Sequence, residues 1–168
     1  VVRLVQHVAD GHGQVARVSS NGFEGTHEGS SAWYAATVTI REGETKRPED
    51  SWYVGGTHLD GLPRPGEVGA EALRRVLARR GAAKVKSRKT TMVVHPEAGA
   101  ALIGRMLGAL QAGAVQQERS FLTGKRDEAI AAPVLTLTDA PLLSRGLGSR
   151  HFDGEGITAR SRAIVDHG

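Results

Sequence analysis

Nine consecutive residues carry the clearest strand pattern in this chain: Ala32-Trp33-Tyr34-Ala35-Ala36-Thr37-Val38-Thr39-Ile40. Alternate residues of a strand point to opposite faces of a sheet, so this segment presents two separate surfaces. One face carries Trp33, Ala35, Thr37 and Thr39, and the other carries Tyr34, Ala36, Val38 and Ile40. The segment therefore predicts a strand, with Trp33 in a position where aromatic rings usually pack against neighbouring strands.

Turn signals on both sides of this strand predict an antiparallel meander in the first third of the chain. The turns are expected at Asp10-Gly11, Asn21-Gly22 and Glu42-Gly43-Glu44, because these residue types tolerate the backbone angles that tight turns require. The predicted strands are residues 1–8, 15–19, 32–40 and 50–54.

Beyond Pro65 the apolar residues change to a helical period. A first helix is predicted over residues 66–80, with Gly81 at its C-terminal end. Residues 90–95 predict a short buried strand, and Pro96 suits the first position of a second helix that runs to about residue 111, before Gly113. The broad apolar face of this second helix predicts that other elements cover it on more than one side.

Two further strands are predicted at residues 134–138 and 157–165, with Asp139-Ala140-Pro141 as a break after the first. No repeat, low-complexity tract or linker marks an independent second domain. The predicted class is α+β, an antiparallel β meander followed by two helices and further strands, in one segment over residues 1–168. Strand-like and turn patterns at the two ends predict that N- and C-terminal flanking regions of a larger protein are absent.

The composition limits which classes of partner and which cellular compartment are expected for this protein. Twenty-two Lys and Arg against 18 Asp and Glu give a net charge of +4, and much of the excess lies in a basic run over residues 74–89. Such a run is typical of a solvated helix face, and it has no interleaved aromatic residues, so nucleic acid is not expected as a partner. No apolar run approaches the roughly 18 residues of a membrane span, which favours a cytoplasmic protein with no membrane partner. The chain has no cysteine, which excludes disulfides and thiolate sites within it.

Seven histidines raise the question of zinc. A helical metallopeptidase site needs two histidines one turn apart, with a glutamate between them to activate water. His27-Glu28 is followed by Ser31 at the required spacing and lies in a segment rich in Gly and Ser, so this motif is incomplete. His95 precedes a helix that contains no second histidine, and we interpret it as a helix cap. No catalytic residue, metal ligand or cofactor is predicted in this chain.

The densest polar cluster is Gly148-Ser149-Arg150-His151-Phe152-Asp153-Gly154-Glu155-Gly156, called here the glycine-rich corner. Its glycines permit tight turns, and Arg150 can fork onto Asp153, Glu155 or a carboxylate outside the corner. The favoured interpretation is a corner closed by its own polar bonds, and the alternative is contact with a substrate or partner. The residues assigned to that contact are Arg150, Phe152, Asp153, Glu155 and Arg160.

These segments, in this order, resemble the TldD/PmbA family, formerly called modulators of DNA gyrase. Ser20-Asn21-Gly22-Phe23-Glu24-Gly25 is similar to a family hairpin, Asp50-Ser51-Trp52-Tyr53 to a family strand, and residues 68–83 to the helix that follows. Ser120-Phe121-Leu122 also matches, and the most specific match is the glycine-rich corner together with Arg160.

The resemblance implies a division of labour between subunits. TldD-type members carry an HExxxH zinc helix where this chain reads His95-Pro96-Glu97-Ala98-Gly99-Ala100, so the resemblance is to the PmbA or TldE type. This type implies a non-catalytic subunit of a zinc metallopeptidase in peptide or protein processing, with zinc expected in a TldD-type partner. The implied partners are that TldD-type subunit, or a second copy in a dimer, and an unfolded peptide. We expect the peptide to add as a strand to an exposed sheet edge.

Two other functions remain open from the sequence. One is an autonomous metallopeptidase with a non-standard metal site, in which folding brings together histidines such as His27, His95 and His151. The other is a basic module that binds nucleic acid or gyrase through Arg74, Arg75, Arg79, Lys84, Lys86 and Arg88. The first requires stoichiometric zinc, and the second requires binding that weakens steeply as salt rises.

Overall fold

The computed structural model describes residues 1–168 and has the α+β architecture that the sequence predicts. Its strands and helices are, in chain order, β1 (Arg3–Val18), β2 (Glu24–Thr39), β3 (Glu49–Gly56), α1 (Pro65–Ala78), α2 (Pro96–Ala109), α3 (Ala112–Gln116), β4 (Leu137–Asp139) and β5 (Arg162–Val165). A short 3-10 turn, Leu59–Gly61, precedes α1. None of the helices combines the length and the apolar character that crossing a bilayer requires.

The first three strands form one antiparallel sheet in the order β1-β2-β3. The predicted turn at Asp10-Gly11 is wrong, because Asp10 pairs with Ala32 and Gly11 with Ser31 inside an unbroken ladder. The chain reverses instead at the predicted Asn21-Gly22 turn, where Gly22 has a φ of 87° and Ser19 N donates to Phe23 O at 2.9 Å. A hairpin of two 16-residue strands replaces the first three short strands of the predicted meander, and the fourth, residues 50–54, is confirmed as β3.

The β1–β2 hairpin continues along the strand direction beyond the part of β2 that pairs with β3. β3 pairs with β2 only between Ala32 and Thr39, whereas β1 pairs with β2 down to Val18 and Glu24. Residues 11–18 and 24–31 therefore form a two-stranded arm, named here the hairpin arm. The turn at Asn21-Gly22 forms its tip.

The core lies where α1 packs on β2 and β3. Val68, Ala72 and Val76 recur at four-residue intervals, so they share one helix face, and their exposures are 1%, 0% and 0%. They meet the face of the sheet that carries Ala36 and Val38. The predicted first helix is thus confirmed. Its start is fixed by Pro65 and by a capping bond from Arg64 N to Glu67 Oε2 at 2.7 Å.

The second half differs more from the sequence prediction. Residues 90–95 are an exposed coil instead of a buried strand, and Val93 is 94% exposed. Helix α2 begins at Pro96 as predicted, but none of its residues is buried, so the expectation of a helix covered on several sides is wrong for this chain. Gly113 lies inside α3 instead of ending α2. An apolar run without a partner strand has no ladder to join, which explains the missing strand.

The last two strands, β4 and β5, form a separate two-stranded sheet and are shorter than predicted. The residues group into two compact units. The first contains residues 1–84 and 139–162, and the second contains residues 85–138 and 163–168. The candidate site below lies wholly in the first unit.

Candidate functional site

The glycine-rich corner packs against the tip of the hairpin arm. Phe152 meets Phe23 edge-on, with ring centroids 5.0 Å apart and an interplanar angle of 64°. The Arg17 guanidinium donates a hydrogen bond to Gly154 O, across 137 positions of sequence. Two motifs that are far apart in the chain therefore form a single structural unit, held by an aromatic pair and an arginine.

Two glycines make this close approach possible. A Cβ atom at Gly25 would lie 2.6 Å from Cζ of Phe23 and 2.8 Å from Cε1 of Phe152. A Cβ atom at Gly156 would lie 2.7 Å from Cγ of Phe23, and Gly156 also has a φ of 83°. Both distances are shorter than a carbon–carbon contact allows, so these glycines are required for the rings to sit where they do.

Asp153 shapes the corner from inside. Its Oδ1 accepts backbone N–H bonds from Glu155 at 2.8 Å and Ile157 at 2.9 Å. These bonds, with that from Ile157 the stronger, lower the pKa of the Asp153 carboxyl below its ordinary value. The backbone closes in the same place, because Asp153 N donates to Ile157 O and Phe152 bridges Thr158. Asp153 is therefore occupied in holding a tight turn.

Arg150 forms its ion pair outside the corner. Its Nη2 donates to Asp139 Oδ2 at 2.9 Å, so of the alternatives open from the sequence, Asp153 and Glu155 are excluded as its partner. Nε of Arg162 lies 3.8 Å from the same Asp139 oxygen. Asp139 thus interacts with two guanidinium groups, and neither Asp139 nor Arg162 was among the residues that the sequence assigned to a contact site.

The five residues that the sequence assigned to a contact site have different environments. Phe152 is half-buried against Phe23, and the polar groups of Arg150 and Asp153 are engaged as described. Glu155 and Arg160 are exposed, and their side chains make no hydrogen bond or ion pair. Only these two therefore present charged groups that are free for another molecule. No local pattern predicts the contacts of Arg17 and Phe23 with the corner, because these contacts depend on tertiary structure.

Beside the corner, Asp139, Arg150, Asp153, Arg160 and Arg162 line an open groove of about 630 Å³, named here the arginine groove. Residues 157–161 form its remaining wall. Three arginines share it with two aspartates, so it keeps one unmatched positive charge. The groove lies in the same unit as the hairpin arm.

The histidines do not assemble a metal centre. His27 and His151 come together, with ring centroids 6.3 Å apart, next to the Phe23–Phe152 pair. His95 caps α2, where its Nδ1 accepts the Glu97 N–H at 3.4 Å. No group of three or more His, Cys, Asp or Glu side chains converges closely enough to hold an ion. The His27–His151 pair therefore has no third side-chain ligand of this kind beside it.

The basic run is partly neutralised within α1 and β3. Glu71 accepts bonds from Arg74 at 2.6 Å and Arg75 at 2.9 Å, and these bonds, the Arg74 bond first, lower the pKa of Glu71 to about 2. Arg79 donates to the backbone oxygen of Glu49 at 2.7 Å. The first three arginines of the run are thus engaged with their own fold.

Two aromatic strand residues, Trp33 and Trp52, have packing roles. The Trp33 ring lies over Gly55 on the paired strand, leaving no room there for a Cβ atom. Trp52 packs against the core, and the Arg75 guanidinium lies 5.6 Å from its ring centre. Tyr53 is 64% exposed and stacks on no other ring.

Two family models match consecutive parts of the chain. The PmbA/TldA metallopeptidase central domain matches residues 2–80, and the PmbA/TldA metallopeptidase C-terminal domain matches residues 87–168. Together they account for almost the whole sequence.

Curated relatives agree with these models. Metalloprotease PmbA of Escherichia coli O157:H7 is 30% identical over 133 residues, which cover 79% of this chain and 30% of that protein. A Metalloprotease PmbA homolog of Haemophilus influenzae is 24% identical over 139 residues, 82% of this chain and 31% of the relative. The chain therefore spans about 30% of the length of the curated relatives it matches.

Two solved structures share the fold. A protein from Bacteroides thetaiotaomicron, named as a candidate modulator of DNA gyrase, superposes with a TM-score of 0.92 at 40% identity, over 100% of this chain and 39% of its own. TldE from Thermococcus kodakarensis superposes with a TM-score of 0.81 at 21% identity, over 97% of this chain and 37% of its own.

Proposed function

Because this chain belongs to the PmbA/TldD family of metallopeptidase-related proteins, we propose that it is part of a non-catalytic, TldE-type subunit of a zinc metallopeptidase. The subunit assembles with a TldD-type partner that holds the zinc, and the complex acts in peptide or protein processing. This proposal adds to family membership a role for the chain and a partner for it.

The observation that carries the proposal is the use of His95 as a helix cap. A zinc helix needs its first histidine free to face the metal and a second one turn later. Here Nδ1 of His95 accepts the Glu97 N–H, and the helix continues through Gly99 and Ala100, which offer no ligand. The His95 side chain satisfies a backbone N–H group at the start of the helix, and this use of its Nδ1 supports a role without zinc.

The sheet offers a place for an unfolded peptide. β1 and β3 are the two edges of the β1-β2-β3 sheet, and β1 is 16 residues long. A free strand edge carries unpaired N–H and C=O groups, which bind an extended chain through its backbone with little sequence preference. Glu155 of the glycine-rich corner and Arg160, four residues beyond it, then supply charged contacts.

The decisive assay measures peptide hydrolysis and bound zinc in the full-length protein, alone and mixed with a TldD-type subunit. We expect no stoichiometric zinc and no cleavage from the protein alone. The mixture is expected to cleave faster than the TldD-type subunit by itself, and a chelator should abolish that cleavage. Equal rates for the mixture and for the TldD-type subunit alone would refute the subunit role.

Strand addition has its own test in the peptide. Methylation of alternate backbone nitrogens removes the N–H groups that face the strand edge while keeping the side chains. Binding of the methylated peptide to the full-length protein should be lost. The same peptide methylated on the other set of nitrogens is the matched control, and equal binding of both forms and the parent peptide would exclude this mode.

A second candidate is an autonomous metallopeptidase, favoured by the His27–His151 pair and by the name of its Escherichia coli relative. Two imidazoles 6.3 Å apart need at least one further ligand to resemble a zinc site. Zinc bound by the isolated full-length protein and lost in His151→Ala would establish this alternative. Absence of zinc in the unaltered protein would remove it.

A further inference from the structure

We propose that the arginine groove binds a peptide carboxylate through Arg160, with Arg162 as the second cation. This inference rests on the proposed function in one respect, namely that the ligand is a peptide. The binding chemistry follows from the charges in the groove.

The two acidic side chains of the groove are already engaged. Oδ2 of Asp139 lies 2.9 Å from Nη2 of Arg150 and 3.8 Å from Nε of Arg162. Oδ1 of Asp153 accepts two backbone N–H bonds from the corner. Neither carboxylate has a bond to Arg160, so the groove contains no internal anion that neutralises this residue.

Arg160 and Arg162 are the most accessible arginines of the groove. The Arg162 side chain is 71% exposed and its contact with Asp139 is long, whereas Arg150 is 42% exposed and closely paired. Arg160 is exposed and has no partner. An incoming anion would therefore contact Arg160 and Arg162, the two guanidinium groups of the groove that have the weakest existing interactions.

The ligand class follows from charge and geometry. A guanidinium fork presents parallel N–H donors that match the two oxygens of a carboxylate. The groove has one unmatched positive charge, which a single carboxylate neutralises, whereas a polyanion would leave negative charge uncompensated. A peptide has two sources of such a group, its C-terminal carboxylate and an Asp or Glu side chain.

The test compares three labelled peptides of the same neutral sequence by fluorescence anisotropy with the full-length protein. One has a free C-terminal carboxylate, one has a C-terminal amide, and one has the amide plus a single internal Glu. Exposed ion pairs of this kind contribute about two- to fivefold in affinity, so at least one carboxylate peptide should bind tighter than the neutral amide by that factor. Preference for the free acid identifies the terminus, and preference for the Glu peptide identifies a side chain.

Variants then assign the effect to the groove. Arg160→Ala should abolish the preference for the carboxylate, and Arg160→Lys should retain part of it, because lysine keeps the charge and loses the fork. Arg80→Ala is the matched control, since Arg80 is also exposed and lies outside this groove. Equal binding of all three peptides, or an unchanged preference in Arg160→Ala, would overturn the proposal.

Failure here is distinct from failure of the subunit role. Stimulation of a TldD-type partner on a neutral amidated peptide tests the subunit role without any carboxylate. If stimulation persists while the carboxylate preference is missing, only the arginine groove is refuted. If the preference exists and Arg160→Ala removes it while stimulation is absent, the groove stands and the subunit role fails.

Discussion

At the scale of single residues, the contact between corner and hairpin arm depends on the absence of a side chain. Gly25→Ala would place a methyl group 2.6 Å from Phe23 and 2.8 Å from Phe152. Relieving that overlap requires moving a packed ring, so we expect a loss of about 1–3 kcal/mol in the free energy of unfolding. Urea denaturation of the two proteins measures it.

The control for this change is Gly13→Ala, on the partner strand of the same hairpin. Nothing lies within 4 Å of a Cβ atom built there, so alanine should leave stability nearly unchanged. If both variants lose the same stability, the close packing at Gly25 is not the cause.

Asp153 gives a residue-scale prediction for pH. Its folded pKa is lowered, chiefly by the Ile157 N–H, so its contribution to stability is present above its unfolded pKa of about 3.8. That contribution disappears as pH falls through the lower folded value. Asp153→Ala should therefore lower Tm at pH 7, and the Tm difference from the unaltered protein should shrink below about pH 3.8.

Asp153→Asn separates charge from hydrogen bonding at the same position. The Asn side chain keeps an oxygen that accepts N–H bonds but has no titrating charge, so its Tm should fall between those of the unaltered protein and Asp153→Ala. A Tm gap for Asp153→Ala that stays constant between pH 7 and pH 2.5 would contradict the assigned role.

At the scale of elements, the attachment of α1 to the sheet depends on three small side chains. Val76 is fully buried against β2 and β3, and truncation to alanine removes two methyl groups and leaves a cavity. We expect Val76→Ala to lower the free energy of unfolding by about 1.5–3 kcal/mol. Leu77→Ala on the next residue, 44% exposed, is the control and should cost much less. Because alanine is the better helix former at both positions, equal losses would contradict the assignment of the effect to the buried packing of Val76.

The elements also show what local sequence can and cannot predict. Helix α1 and the turn at Asn21-Gly22 are set by neighbouring residues, and both were predictable. Asp10-Gly11 has the same turn chemistry, yet pairing with Ser31 and Ala32 carries the strand through it. The pairing of Arg150 with Asp139 and the contact of Phe152 with Phe23 required tertiary information. The glycine-rich corner was recognisable as a special segment, but the surface it packs against was not.

At the scale of the whole molecule, the first passage from one compact unit to the other runs through an exposed coil. Residues 83–94 make no backbone hydrogen bonds and include Lys84, Lys86 and Lys89. A protease needs an extended, accessible backbone, so limited trypsin treatment should cut first within this coil. Arg74 and Arg75, inside α1, should resist. Mass spectrometry of the early fragments checks this order, and a first cut after Arg74 or Arg75 would contradict it.

The hairpin arm is synthesised well before the glycine-rich corner that packs against its tip. Arg17 and its acceptor Gly154 are separated by 137 positions, so the arm leaves the ribosome long before the corner that covers it. At roughly 5–20 residues per second, the interval is about 7–27 s. During that time Phe23, which later packs against Phe152, is exposed to any other unfolded chain. For this protein, translation speed between the two motifs therefore bears on how much of the nascent chain escapes aggregation.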